Sequence, residues 1–232
     1  MGREAVIMAK LEGIRACVFD AYGTLFDVHS PVQKLAAEIG EKADALSQLW
    51  RQKQLEYSWL RSLMGVHADF WHVTGDALDY ALAFHGIDEP GLKDELLALY
   101  LKLDAYPDAK EALGALKSRN MRTAILSNGS PSMLDAAVRS AGLDKLLDEV
   151  LSVEDVGIYK PSRRVYRLAM QKFVIHDAPA ICFVSANTWD AQAAAQFGFQ
   201  VVRIDRFGLP HDKIPGKPAR LVKSLTELPA LL

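Results

Sequence analysis

Four polar breaks interrupt the apolar runs of this chain, and each leaves side chains able to do chemistry. Asp20 follows Cys17, Val18 and Phe19 in "CVFDAYGTLFD". Ser127 and Asn128 close "TAILSN", Lys160 stands in "GIYKP", and "SANTWD" supplies Ser185, Asn187 and Asp190. A carboxylate at such a break can attack as a nucleophile, and it can equally cap a turn; Asp20 alone leaves both open. A lysine brought within a few ångströms of it favours the charged form. Taken singly, Ser127 and Asn128 suit a turn, and Thr24 could bond only to its own backbone. Polar groups at four strand ends in one chain point instead to a shared site.

The elements that position them alternate. Apolar runs at residues 14–20, 123–128, 148–153, 180–187 and 200–205 have the length of buried strands, and helix-patterned segments separate the last four. This predicts an α/β fold, a Rossmann-like parallel sheet covered on both faces. In such a sheet the C-terminal strand ends converge at one rim, where open α/β folds carry their chemistry. Gly142 suits a helix C-terminus, and Pro161 is placed to open the helix after Lys160. Residues 30–104 read as helices throughout, with Trp50, Trp59 and Trp71 at helical spacing suited to a core. The expected organisation is a catalytic core of residues 1–29 and 105–232, with residues 30–104 inserted over the rim as a helical cap.

Composition narrows the class of protein. Half of the 232 residues are hydrophobic and 24% are charged, as in a globular chain with a sizeable core. A net charge of −2 argues against a nucleic-acid partner or an anionic membrane surface, while a small anionic substrate stays possible. Cys17 and Cys182 both lie in apolar runs and read as buried free thiols of a reducing compartment. The apolar patch near the N-terminus is too short for a signal peptide, and Val6 lacks the hydroxyl of a myristoylation signal. No run approaches the ~18 apolar residues of a membrane span. The expected location is cytoplasmic, and no exposed apolar stripe stands out from which to argue an oligomer.

"DAYGTLFD", "LSNGS", "YKP" and "SANTWD", in that order, resemble the four motifs of the haloacid dehalogenase superfamily. Together with the helical insert, over residues 14–210, they are similar to the L-2-haloacid dehalogenases. Phosphotransferases of this superfamily carry a second Asp two residues after the nucleophile and hold Mg²⁺ with further carboxylates in the last motif. This chain has Tyr22 at the first position, and its last motif offers only Asp190 beside Ser185 and Asn187. A hard divalent ion wants several oxygen ligands, carboxylates first, so no metal and no other cofactor is expected.

The resemblance implies displacement of a halide ion from a small 2-haloacid. Asp20 is then the nucleophile, oriented by Thr24, and its attack on C2 forms an ester. Ser127, Lys160 and the N–H groups after Asp20, at Ala21 and Tyr22, hold the substrate carboxylate. Arg51 of the insert receives the halide with Asn128 nearby, and Tyr22, Leu55, Phe70 and Trp189 form an apolar wall. Asn187 and Asp190 match the residues that position and deprotonate the water that hydrolyses the ester, supported by Ser185 and Tyr166, with the proton going either to Asp190 or to a network through Lys160. The family commonly has Asp-Pro after Lys-Pro, where this chain reads Ser162-Arg163-Arg164. A phosphotransferase is disfavoured by Tyr22. A binding protein on an inactivated copy of the fold is disfavoured because every polar position for both steps is present. Relatives of this kind are commonly homodimers.

Overall fold

β1 (Ala16–Phe19) is buried along its whole length, as a strand flanked on both sides and covered on both faces must be. The computed structural model describes residues 10–232; the N-terminal apolar patch with Val6 lies outside the described residues. After β1 the chain is helical for five elements: α1 (Ser30–Lys34), α2 (Ala36–Ile39), α3 (Ala43–Met64), α4 (Phe70–His85) and α5 (Leu92–Tyr100). It then alternates through α6 (Pro107–Ser118), β2 (Arg122–Ser127), α7 (Pro131–Ser140) and β3 (Glu149–Ser152). α8 (Arg163–Phe173), β4 (Ile181–Ser185), α9 (Thr188–Phe197), β5 (Gln200–Ile204) and β6 (Arg220–Val222) complete it.

The strands form one parallel sheet in the order β3-β2-β1-β4-β5-β6. The chain builds outward from β1 first one way and then the other, so a switch point opens between β1 and β4. Phe19 pairs with Val184 and with Ile125, which sets Asp20 level with Ser185 and one residue short of Ser127. Cys17 and Cys182 face each other in the same register as free, fully buried thiols. Their mutual hydrogen bond and burial hold the Cys17 thiol well above its ordinary value.

Two details differ from the sequence expectation. β6 is a sixth strand of only three residues on the sheet edge, too short to leave an apolar run. Pro161 does not open α8: Ser162 is the cap, its hydroxyl accepting from the Arg164 N–H at 3.4 Å, and the helix begins at Arg163. Of the two arginines there, Arg163 lies over the Phe197 ring at 4.8 Å and Arg164 donates to the Val156 carbonyl at 2.8 Å.

The helical block is held by its own polar core. Leu46, Trp50, Gln54 and Ser58 recur every fourth residue on α3, the spacing of one helix face, and all are buried. Trp50 donates its indole N–H to the Thr74 carbonyl of α4 at 2.9 Å, and Gln54 donates to the Thr74 hydroxyl at 2.8 Å. α4 starts on Asp69, whose side chain accepts from the His72 N–H at 2.9 Å. Leu63 (85% exposed) and Met64 (70%) at the end of α3, and Phe84 (66%) at the end of α4, instead stand out to solvent, which sequence reading does not pick out. No helix of the described residues is long and apolar enough to cross a membrane.

Candidate active site

Asp20 leaves β1 at the switch point, its N–H still bonded to Val184 O of β4 at 2.9 Å. The turn behind it wraps onto the Ala21 carbonyl, which accepts from the N–H groups of Thr24, Leu25 and Phe26 at 2.9–3.2 Å. Gly23 makes that turn possible with φ +87°, a conformation side chains disfavour. Gly23 to Phe26 all spend their N–H groups within the turn, whereas those of Ala21 and Tyr22 take no part in it.

The Asp20 carboxylate is only 6% exposed and meets three donors. Oδ2 accepts from the Thr24 hydroxyl at 2.9 Å and from Asn187 Nδ2 at 2.7 Å; Oδ1 accepts from Lys160 Nζ at 3.1 Å. The Ala186 N–H donates to Thr24 Oγ1 at 2.9 Å, which leaves the hydroxyl proton for Asp20. Lys160 is 1% exposed and also reaches Asp190 Oδ2 at 2.8 Å. Burial pulls its pKa down, but Asp190 and Asp20 outweigh burial and hold it above the ordinary lysine value.

Asp190, in the first turn of α9, is fully buried and accepts from three donors. They are Tyr166 on Oδ1 at 2.7 Å, and Lys160 and Ser185 on Oδ2 at 2.8 and 3.2 Å. Burial pushes its carboxyl above the ordinary value, with the Lys160 charge acting the other way. Ser185 in turn accepts from the Asn187 N–H at 3.2 Å, so the end of β4 and the start of α9 are tied to one hydroxyl.

Arg51 comes from α3, far off in sequence. Its Nη2 donates to the Tyr22 carbonyl at 3.3 Å and to Asn187 Oδ1 at 3.4 Å, while Nη1 donates to Gln54 at 2.8 Å. Asn187 thus joins the guanidinium to Asp20. Asn128 Oδ1 accepts from the Lys160 backbone N–H at 3.0 Å, and Ser127 Oγ accepts from the Gly129 N–H at 3.1 Å. Ser127 is therefore at the rim but bonded to its own turn.

The expected wall divides. Tyr22 packs on Phe70 and on Tyr100, with ring centroids 5.8 and 5.7 Å apart. Trp189 meets Trp59 edge-on at 5.3 Å, beside an apolar cavity of about 440 Å³ that reaches Lys160 between Leu63, Ile158 and Ile214. Leu55 is half-buried one helical turn beyond Arg51. Gly129 is where the Tyr22 ring rests: a Cβ there would come within 2.7 Å of that ring. The Tyr22 hydroxyl is buried without a partner among the described residues, and burial holds its pKa well up.

Gln54 and Tyr100 are site residues that motif reading passes over. Gln54 lies three residues after Arg51 on one helix face, and that spacing is the only trace it leaves in the sequence. No group of three or more His, Cys, Asp or Glu among the described residues is arranged to hold a metal ion.

The family model of haloacid dehalogenase-like hydrolases matches residues 14–198. The chain is 50% identical to (S)-2-haloacid dehalogenase 4A of Burkholderia cepacia, over 96% of each chain. It is 49% identical to (S)-2-haloacid dehalogenase 1 of Pseudomonas sp. strain CBS-3, over 96% of this chain and 98% of that one. The structure of L-2-haloacid dehalogenase from Xanthobacter autotrophicus with chloropropionic acid covalently bound superposes with a TM-score of 0.86 at 39% identity, covering 94% of this chain and 98% of that one.

The buried charges make a prediction that depends on no reaction. Lys160→Met leaves two carboxylates in a dry site, at a cost of about 3–5 kcal/mol for breaking such a pair. Burial already holds the Asp190 carboxyl above its ordinary value and the Lys160 charge opposes that, so without the lysine its folded pKa rises further above the unfolded one. The deficit is then smallest at acid pH and grows as pH rises through those values. Calorimetry against the wild type should show a larger loss of Tm at pH 8 than at pH 5. An equal loss at both would mean that Lys160 does not neutralise the pair.

Proposed function

Because the chain belongs to the haloacid dehalogenase-like hydrolases, we propose that it removes halide from short-chain L-2-haloacids, giving D-2-hydroxyacids through an ester on Asp20. The observation that carries this reading is the Asp20 carboxylate held between a buried ammonium and, through Asn187, a guanidinium from the helical block. On this reading residues 30–104 are a cap over a core of residues 1–29 and 105–232.

The substrate carboxylate lies against Ser127, the third N–H of Lys160 and the backbone N–H groups of Ala21 and Tyr22. Oδ1 of Asp20, with one donor against two on Oδ2, attacks C2 from the side opposite the halogen and inverts it. Arg51 and the Asn128 amide receive the halide, since an anion expelled into a dry pocket must meet donors. Tyr22, Leu55, Phe70 and Trp189 keep water from this first step. Oδ2 becomes the ester carbonyl oxygen, and the Thr24 and Asn187 donors already on it stabilise the charge that develops when water attacks. Asn187 and Asp190 place that water, the Asp190–Lys160 pair takes its proton, and Tyr166 and Ser185 hold Asp190 in place.

Tyr22 stands where a phosphotransferase needs its acid, and Lys160 supplies the cation between the two carboxylates, so no metal takes part. Exposed Leu60, Met64, Val66 and Tyr80 line one groove between α3 and α4, with Phe84 stacked on Tyr80, an apolar surface that a homodimer would cover. The paired free thiols of Cys17 and Cys182 suit a reducing cytoplasm.

Halide release from the two enantiomers of 2-chloropropionate in EDTA tests the reading. Release from the L-enantiomer alone, with D-lactate as product and no loss in EDTA, is expected. Activity abolished by EDTA and restored by Mg²⁺ would contradict it.

Arg51→Lys replaces a fixed fork of donors by a point charge on a different stem. Ester formation should slow about 10- to 100-fold, the scale of a misplaced group, while hydrolysis of ester already formed changes little. Rapid-quench measurement of both steps checks this, and wild-type rates in both would take Arg51 out of halide release.

A further inference from the structure

Arg206 follows β5 and has no bond to Asp20, yet its donors converge on the turn behind the nucleophile. Nε and Nη2 both donate to the Thr24 carbonyl, at 3.0 and 2.8 Å. Nη2 and Nη1 also bind the two oxygens of Asp108 on α6, at 2.8 and 3.2 Å, and the guanidinium lies 3.8 Å over the Tyr106 ring. The pair is largely buried, with side chains 9% and 15% exposed.

Asp108 is itself anchored. Its Oδ2 accepts from the Leu225 N–H at 2.9 Å and the Ser224 hydroxyl at 3.2 Å, at the start of the C-terminal 3₁₀ helix. Burial raises its carboxyl, but Arg206 and these two donors bring it below the ordinary value, so the pair is ionised at neutral pH.

Thr24 is thus gripped from both ends. Its carbonyl faces Arg206, and its hydroxyl accepts from Ala186 N–H and donates to Asp20 Oδ2. An Arg–Asp pair kept only for stability needs no carbonyl, whereas here two N–H groups are directed to a single backbone oxygen. Without that grip the Thr24 backbone could shift and carry the hydroxyl off Oδ2, leaving that oxygen to Asn187 alone.

We infer that Arg206 is a positioning residue for the nucleophile: with Asp108 it clamps the Thr24 carbonyl so that the Thr24 hydroxyl holds Oδ2 and presents Oδ1 to the substrate carbon. The inference rests on the proposed dehalogenation and adds to it a residue that touches no substrate.

The test is a double-mutant cycle on single-turnover ester formation from L-2-chloropropionate. Arg206→Lys cannot reproduce the paired donation, and it should slow ester formation about tenfold or more, with substrate affinity near that of the wild type. In a Thr24→Val background there is no hydroxyl left to position, and Arg206→Lys should then cost less than twofold. Asp108→Asn can keep an oxygen toward Leu225 and Ser224, and it then sets an amide N–H₂ against Arg206 Nη2 and pushes the guanidinium off its seat. It should lower ester formation a few-fold in wild type and not at all beside Thr24→Val. Losses that multiply in both cycles, or that track a fall in folded fraction seen by calorimetry, would reduce Arg206 to a stabilising pair and overturn the inference. A wild-type enzyme that releases no halide takes down the dehalogenase reading itself, which separates the two failures.

Discussion

Lys160 is the buried charge around which the rim is organised. Taking an ammonium and two carboxylates out of water costs several kcal/mol per ion unless geometry and further hydrogen bonds compensate. Every oxygen of Asp20 and Asp190 accordingly has a donor, from Thr24, Asn187, Tyr166, Ser185 or Lys160 itself. Those donors come from β1's turn, α8, β4 and the start of α9, so the charges can be satisfied only if these elements end level with one another. The parallel register of β1 and β4, with Phe19 opposite Val184, meets that demand.

The helical block is tied to the same centre from the other side. Tyr159, next to Lys160, donates its hydroxyl to the Ala68 carbonyl and its backbone N–H to the Ser62 hydroxyl at 3.2 Å. His67 and Glu154 meet at 2.9 Å beside it. Because α3 and α4 are locked together through Trp50, Gln54 and Thr74, fastening their connecting loop to the segment that carries Lys160 also fixes where Arg51 can reach. A helix far from the sheet in sequence thereby delivers a guanidinium to the end of β1.

The strand ends were legible in the sequence because a polar residue at the close of an apolar run is a local event. Asp20, Ser127 and Ser185 each announce themselves that way, whereas Lys160 stands in the loop well past β3 and Asp190 in the first turn of α9, where only the motifs mark them. β6 left no such mark: three residues on a sheet edge need little hydrophobicity to pair. Gln54 and Arg206 look like ordinary polar side chains on or beside regular elements, and their importance arises only from what the fold brings opposite them. Pro161 misled for a local reason, since Ser162 supplies a cap one residue later. Phe84 continues the buried spacing of Ala77 and Ala81 on α4, so its exposure appears only once the neighbouring elements are placed.

A covalent nucleophile and a general base at Asp20 give the same inverted product, and they differ in where the oxygen comes from. A single turnover of L-2-chloropropionate in ¹⁸O-water with enzyme in excess separates them. If Asp20 attacks carbon, the first-turnover hydroxyacid is mostly unlabelled and the peptide containing Asp20 becomes heavier by one labelled oxygen. Label in that first product, with none in the Asp20 peptide, would contradict covalent attack and leave Asp20 as a base.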